Sequence, residues 1–251
     1  MKILITGING CMGKAVADEI RKIPAFSVLC GVDTLEKKPY NSYSGAVYPS
    51  FDQVKETPDC IVDFSSPSAL SKELRFAREK KVGVVIGTTS LTEIDYSVIE
   101  KFSEDIPIFL SSNFSLGVHL LKILSVKAAK LFKSADVEII EKHHKDKKDA
   151  PSGTALTIAK AIQSAKKENV HFKTGRTEKR RKGEIGIHSV RGGTIVGDHE
   201  VVFAANGETI TISHRAENKN IFALGALSAA VFLQRKQNGL YGMDDLFSDL
   251  K

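Results

Sequence analysis

The sequence predicts an α/β protein, with a parallel doubly wound sheet in its first half and an α+β domain after it. Three observations carry that prediction. Short apolar runs alternate with helix-compatible segments up to about residue 111, so both faces of the sheet are buried. A glycine-rich turn follows the first apolar run directly. Beyond residue 114 the pattern changes, and the final third carries three strand-like runs close together.

The elements follow in order. "KILIT" (2–6) is the first strand, residues 11–22 the first helix, and "FSVLCGV" (26–32) the second strand. "DCIVDF" (59–64) is the third strand, followed by a helix over about 67–80. "VGVVIG" (82–87), a helix over about 92–103, and "IPIFLS" (106–111) complete the first sheet. A long amphipathic segment (115–133) leads into "ADVEIIE" (135–141), which alternates as a strand does, and a further helix starts at Ser152. The last strands are "EIGIHSV" (184–190), "TIVGDHEVVFA" (194–204) and "ETITISHR" (208–215), with an Asn-Gly turn in "ANGE" (205–208) joining the last two as a hairpin. The apolar helix over 218–235 has no place in that second sheet and is expected to return to the first domain. The division expected is therefore 1–113 plus 216–251 for one domain and 114–215 for the other.

Composition places the chain among globular proteins: 251 residues, 42% hydrophobic and 26% charged, with 19 glycines and 7 prolines. Three scattered cysteines, Cys11, Cys30 and Cys60, argue for reduced thiols in a cytoplasmic protein rather than a disulfide framework or a zinc site. The most apolar late stretch, "IFALGALSAAVFL" (221–233), is too short to span a bilayer, which excludes a membrane protein of the helical kind. Net charge is +6, concentrated at 142–148 and in "KTGRTEKRRKG" (173–183). The second cluster has no aromatic residue for base stacking, so a nucleic-acid partner is not expected. A solvated loop between domains accounts for it.

"ITGINGCMGKAV" sets Gly7, Gly10 and Gly13 three apart where the first strand turns into the first helix. Such a turn lets backbone approach a pyrophosphate and offers helix N-terminal donors to it. Asp33 stands 20 residues beyond Gly13, at the end of the second strand. A carboxylate there accepts from a ribose 2′-OH and repels a 2′-phosphate, which favours NADH over NADPH. Lys37 and Lys38 follow, and a loop folded back on Asp33 would offset that preference, so both cofactors stay open. "IGTTS" (86–90) and "SSNFS" (111–115) end later strands, where ligands of open α/β sheets bind. Helix capping by Ser90 or Thr92 explains the first of them equally well.

"EKHHKDKKDAPSGTAL" (141–156) concentrates two histidines and four lysines in its first eight positions. With "VEIIE" as a strand, "KHHKDKKDAP" reads as a loop and Ser152, Gly153 and Thr154 as a helix start. Free amides and two hydroxyls there make a cradle for a carboxylate or phosphate, and a simple N-cap is compatible with that role. Histidine exchanges protons near neutral pH; neighbouring lysines lower its pKa and a bound dianion raises it again. Adjacent histidines in an extended chain point apart, so His143 and His144 hold different roles and no metal site is expected. His119, His171, His188, His199 and His214 each read as structural.

This segment closely resembles the signature of the dihydrodipicolinate reductase family, which serves the diaminopimelate route to lysine. "DFSSP" (63–67), "GTT" (87–89), "NFSLGV" (113–118) and "IGIHSVRGGTIVGDHEVVF" (185–203) extend the resemblance along the chain. It implies an N-terminal Rossmann-like parallel-sheet domain for NADH or NADPH. It also implies a C-terminal α+β mixed-sheet domain for substrate binding and assembly into a homotetramer. The reaction implied is reduction of a cyclic, imine-like dicarboxylate. By position, His143 is implied as proton donor and acceptor, Lys147 as the second proton donor, and His144 with Ser152, Gly153 and Thr154 as the substrate carboxylate site. Gly7, Ile8, Asn9, Gly10, Cys11, Met12, Gly13, Asp33, Gly87, Thr88, Thr89, Ser111, Ser112, Asn113 and Phe114 are implied to line the cofactor. Two positions depart from the pattern. Cys11 stands where some members carry an arginine, which removes one phosphate contact, and Ser90 stands where glycine is common.

Overall fold

The computed structural model describes residues 1–34, 43, 45–166, 171–175 and 178–248. Lys37 and Lys38 lie outside these. The chain divides into two compact units, Met1–Phe114 with Lys219–Lys251, and Ser115–Asn218.

The first unit is built on seven strands: β1 (Lys2–Thr6), β2 (Ser27–Val32), β3 (Val47–Tyr48), β4 (Cys60–Asp63), β5 (Gly83–Ile86), β6 (Pro107–Leu110) and β12 (Gly239–Tyr241). They are ordered β12-β6-β5-β4-β1-β2-β3, and every pair is parallel. The strand interiors are apolar because both faces are covered. Ile3, Ile5, Val62, Val85 and Phe109 pack on one side. Leu4, Ile61, Val84, Ile86 and Ile108, the alternate residues, pack on the other. The first face meets α1 (Cys11–Lys22) and α6 (Asn220–Leu233), and the second meets α2 (Pro67–Lys80) and α3 (Glu93–Ser103). Apolar nearly all round, α6 contacts α1 and strands β4, β5 and β6. The strand order reverses between β1 and β4, the switch point at which open sheets bind ligands.

The second unit carries the sheet β11-β10-β7-β9-β8, made of β7 (Asp136–His143), β8 (His171–Thr174), β9 (Glu184–Arg191), β10 (Gly197–Ala205) and β11 (Glu208–Ala216). The β10–β11 hairpin is antiparallel with Ala205 opposite Glu208, the register an Asn-Gly turn imposes. β7 runs antiparallel to β10 and parallel to β9, so the sheet is mixed. Helices α4 (Leu116–Leu131) and α5 (Gly153–Lys166) cover Val137, Ile139, Ile187, Val201 and Phe203.

Four expectations need correction. β7 continues to His143, because its last residues pair with β9 through Arg191 and with β10 through Asp198. His143 therefore ends a strand instead of opening a loop. β10 starts at Gly197, three residues later than its alternating pattern suggests. His171 lies on the edge strand β8 and not in a loop. The basic run 173–183 starts within β8 and falls inside the second unit's span, so it does not join units. Its Arg180 is folded back onto Asp136, Glu138 and the Glu184 carbonyl. The short β3, β12 and α7 (Met243–Ser248) carry too few residues for periodicity to register.

Candidate active site

In the first unit the glycine turn is shaped by steric need. A side chain on Gly13 would come within 2.1 Å of the Gly7 carbonyl oxygen, and one on Gly7, whose φ is +78°, within 2.5 Å of the Phe64 carbonyl. Gly10 precedes α1 and offers no side-chain cap, which leaves first-turn amides available to an anion. Asp33 closes the turn from below: its two oxygens accept from the backbone N–H of Asn9 and of Thr34, each at 2.8 Å. A cavity of about 230 Å³ opens beside it at the carboxyl ends of β1, β2 and β4, lined among others by Gly7, Asp33, Ser66 and Lys72. A dinucleotide fits this cradle. Cys11 is exposed at the start of α1, with the Lys219 ammonium 3.9 Å from its sulfur. Cys30 and Cys60 are buried, and burial first of all pushes both thiols up to about 12.

The other residues expected at the cofactor lie beyond β5 and β6. Gly87 donates to the Asp63 carbonyl, and the buried Thr88 hydroxyl accepts from the Ser65 amide at 3.0 Å. The Ser111 hydroxyl donates to the Asn113 carbonyl at 2.7 Å. Phe114 is in the core against Phe64 and Phe109, and Ile8 is fully buried, so backbone is what these two can offer a ligand. Thr92 is the cap of α3, in a reciprocal capping box with Asp95. Ser90 holds φ +63°, the left-handed region that suits glycine. Ser90→Gly is expected to raise unfolding stability by about 0.5–1 kcal/mol, relief of left-handed strain less the entropy glycine adds to the unfolded chain. Urea midpoints of the two proteins check this; a lower midpoint for the variant counts against it.

In the second unit the strand alternation of β7 puts Glu141 and His143 on the same buried face. Glu141 is fully buried and accepts from Arg191 Nη1 at 2.8 Å, Arg191 Nη2 at 2.7 Å, His143 Nδ1 at 2.6 Å and the Ser152 amide at 3.1 Å. Burial works to raise its pKa, but the hydrogen bonds from Arg191, Ser189 and His143 prevail and hold it at about 2. An ionised carboxylate cannot donate, so Nδ1 of His143 carries the proton. Nε2 lies against Gly197, where a side chain would come within 3.1 Å of it. Burial lowers the pKa of His143 most, Glu141 opposes that, and Lys147 and Arg191 lower it further.

The remaining groups gather around this pair. His199, 3% exposed, meets the His143 ring edge-on at 5.2 Å and the Ser152 hydroxyl at 3.1 Å. Burial, followed by the neighbouring His143, brings His199 down to about 4, so it is neutral near pH 7. Ser152 Oγ accepts from the Ala155 amide and caps α5, while Gly153 and Thr154 form its first turn. Lys147 pairs with Asp149 at 2.7 Å, and His144 is half-buried just beyond the strand end. Among the expected residues, His143, Ser152 and the first turn of α5 are thus brought together. Glu141, Arg191 and His199 were not expected. The period of the strand signals Glu141, but Arg191 and His199 arrive through sheet register alone.

A doubly wound unit with a glycine turn and a carboxylate at the end of its second strand, followed by a unit with a carboxylate-bound histidine near a helix start, is the arrangement of a nicotinamide-dependent oxidoreductase. Among the described residues no helix is long and apolar enough to cross a membrane. The chain belongs to the dihydrodipicolinate reductase family: residues 1–114 match its N-terminal domain and 117–247 its C-terminal domain. It is 47% identical to the 4-hydroxy-tetrahydrodipicolinate reductase of Caldanaerobacter subterraneus subsp. tengcongensis over 98% of both chains. It is 44% identical to that of Rickettsia bellii, over 99% of this chain and 96% of the other. A dipicolinate-bound dihydrodipicolinate reductase from Paenisporosarcina sp. TG-14 shares the fold at a TM-score of 0.83, 24% identity and 98% coverage of each chain. A probable dehydrogenase from Thermotoga maritima is similar at a TM-score of 0.65 and 12% identity, covering 100% of this chain and 93% of that one.

Proposed function

We propose that this chain is a 4-hydroxy-tetrahydrodipicolinate reductase, working in the cytoplasm in diaminopimelate and lysine biosynthesis. The observation that carries the reading is His143, its Nδ1 bound to an ionised Glu141 whose other oxygen holds the Ser152 amide at the start of α5. Family membership supplies the substrate class, a small cyclic dicarboxylate.

Each unit has its task. The turn Gly7–Gly13, Asp33, Gly87–Thr89 and Ser111–Phe114 hold NADH or NADPH, and either one, when bound, supplies a hydride. His144, Ser152, Gly153 and Thr154 hold the substrate carboxylates, as amides at a helix start do for any anion. His143 and Lys147 handle the proton. A dianion beside His143 raises its pKa, so the ring becomes a competent acid when substrate is present. Asp33 favours NADH by accepting from a ribose hydroxyl and repelling a 2′-phosphate. The chain assembles as a homotetramer through the sheet face opposite α4 and α5, where Ile140, Val190 and Val202 alternate with Glu138, Lys142 and Glu200. Mass in solution tests that assembly.

The test of function is oxidation of NADH and of NADPH in the presence of the condensation product of pyruvate and aspartate semialdehyde. Turnover is expected with a higher kcat/KM for NADH. An enzyme that oxidises neither cofactor with this substrate, yet reduces another small anion, refutes the reading.

A further inference from the structure

We propose that Glu141 is a positioning residue for the reaction: it fixes His143 as the Nδ1–H tautomer and ties that ring to the start of the anion-holding helix α5. The inference deepens the functional reading above and rests on it for the role of His143. Three observations support it. First, Glu141 has no exposure to solvent and accepts from β7, β9 and the start of α5. Second, one oxygen, Oε2, receives His143 Nδ1 while the other, Oε1, receives the Ser152 amide, so a single rigid group sets both the ring and the helix start. Third, Arg191 is itself anchored to the Asp149 and Val190 carbonyls at 2.7 Å, which keeps the carboxylate in place without help from the ligand.

The tautomer matters because a histidine reacts only through the nitrogen its neighbours leave open. With Nδ1 committed, Nε2 is the atom that gives or takes a proton. The charged and titratable groups around the ring are Glu141 on its own strand, Arg191 from β9, His199 from β10, and Lys147 with its partner Asp149 from the following loop. Among the described residues, Glu141 is the anion hydrogen-bonded to the ring. Its removal therefore leaves positive neighbours unopposed and makes the imidazolium harder to form.

Glu141→Gln tests this. Both carboxylate oxygens face an Arg191 nitrogen, so an amide NH2 in either place meets a donor and the arrangement fails on one side. The expected result is a kcat lower by on the order of 10²-fold, an unchanged Kd for NADH, and a pH profile whose histidine limb moves to lower pH. Nitrogen-15 chemical shifts of His143 in the unliganded wild-type protein give a readout that needs neither turnover nor a folded variant. They are expected to report a protonated Nδ1 and a bare Nε2. An Nε2–H tautomer in the wild type overturns the proposal, as does a Glu141→Gln enzyme with a wild-type profile. Failure of the functional reading looks different: the wild type would not turn over the substrate while its tautomer remained as stated.

Discussion

Replacing His143 with glutamine is expected to lower kcat by about 10²–10⁴-fold, the range a positioned acid or base contributes, with no change in NADH affinity. Lys147→Ala is expected to behave likewise, because both residues belong to the second unit while the glycine cradle belongs to the first. Steady-state kinetics with direct NADH titration check the pair; a matching loss of cofactor affinity contradicts the assignment. The pH dependence adds a sign. Burial, with Lys147 and Arg191 adding to it, holds His143 below its ordinary 6.5 despite Glu141. If His143 is the acid, kcat/KM, which reports the free enzyme, falls as pH rises through that lowered value. The profile of kcat breaks at higher pH, since a bound dianion favours the imidazolium. His143→Gln removes this limb from both profiles.

The second large effect is on stability. Glu73, fully buried on α2, accepts from the Thr6 hydroxyl at 2.5 Å, and its other oxygen has no hydrogen-bond partner. Burial raises its pKa well above the ordinary 4.5, and the negative charge of Asp63 raises it further. Asp63 is also raised by burial but receives hydrogen bonds from Ser65, so Glu73 is the partner that keeps the proton. Native Glu73 then binds protons that the unfolded chain releases above pH 4.5. Its contribution to stability is full below that value and declines as pH rises toward the raised native pKa. Glu73→Gln cannot ionise and is expected to remove that decline between pH 5 and pH 9. Urea unfolding across that range measures it. Parallel slopes for wild type and variant would exclude a protonated Glu73.

Much of this was legible in the sequence, for identifiable reasons. The parallel sheet declared itself because strands buried on both faces read as near-continuous apolar runs, as in "CIV" of β4 and "GVVI" of β5. The hairpin of β10 and β11 declared itself through Asn206-Gly207, where Gly207 takes φ +84°. The candidate site's segment from His143 to Thr154 is a local run, so its residue types could be read together. What supports it could not be read there. Arg191 reaches Glu141 across 50 positions and His199 reaches Ser152 across 47, distances that only strand register closes. Reading "KHHK" as loop also hid the alternation that joins Glu141 to His143. The buried Glu73 was invisible for the opposite reason: in "SALSKELRF" a glutamate between Lys72 and Leu74 looks like part of an exposed helix face.

The return of α6 to the first sheet has a consequence for how the protein comes into being on the ribosome. Strands β4, β5 and β6 are finished within the first 110 residues, yet the helix that contacts them spans Asn220–Leu233. In between, Ser115–Asn218 is a continuous stretch with its own core and can collapse as soon as it emerges. Synthesis thus delivers the second unit complete while the first still waits with part of one face, beside α1, uncovered. Ala223, Ala226, Leu227 and Ala230 are what that face lacks until Asn220–Leu233 has been made. Nascent chains halted before Asn220 are for that reason the form most in need of a chaperone.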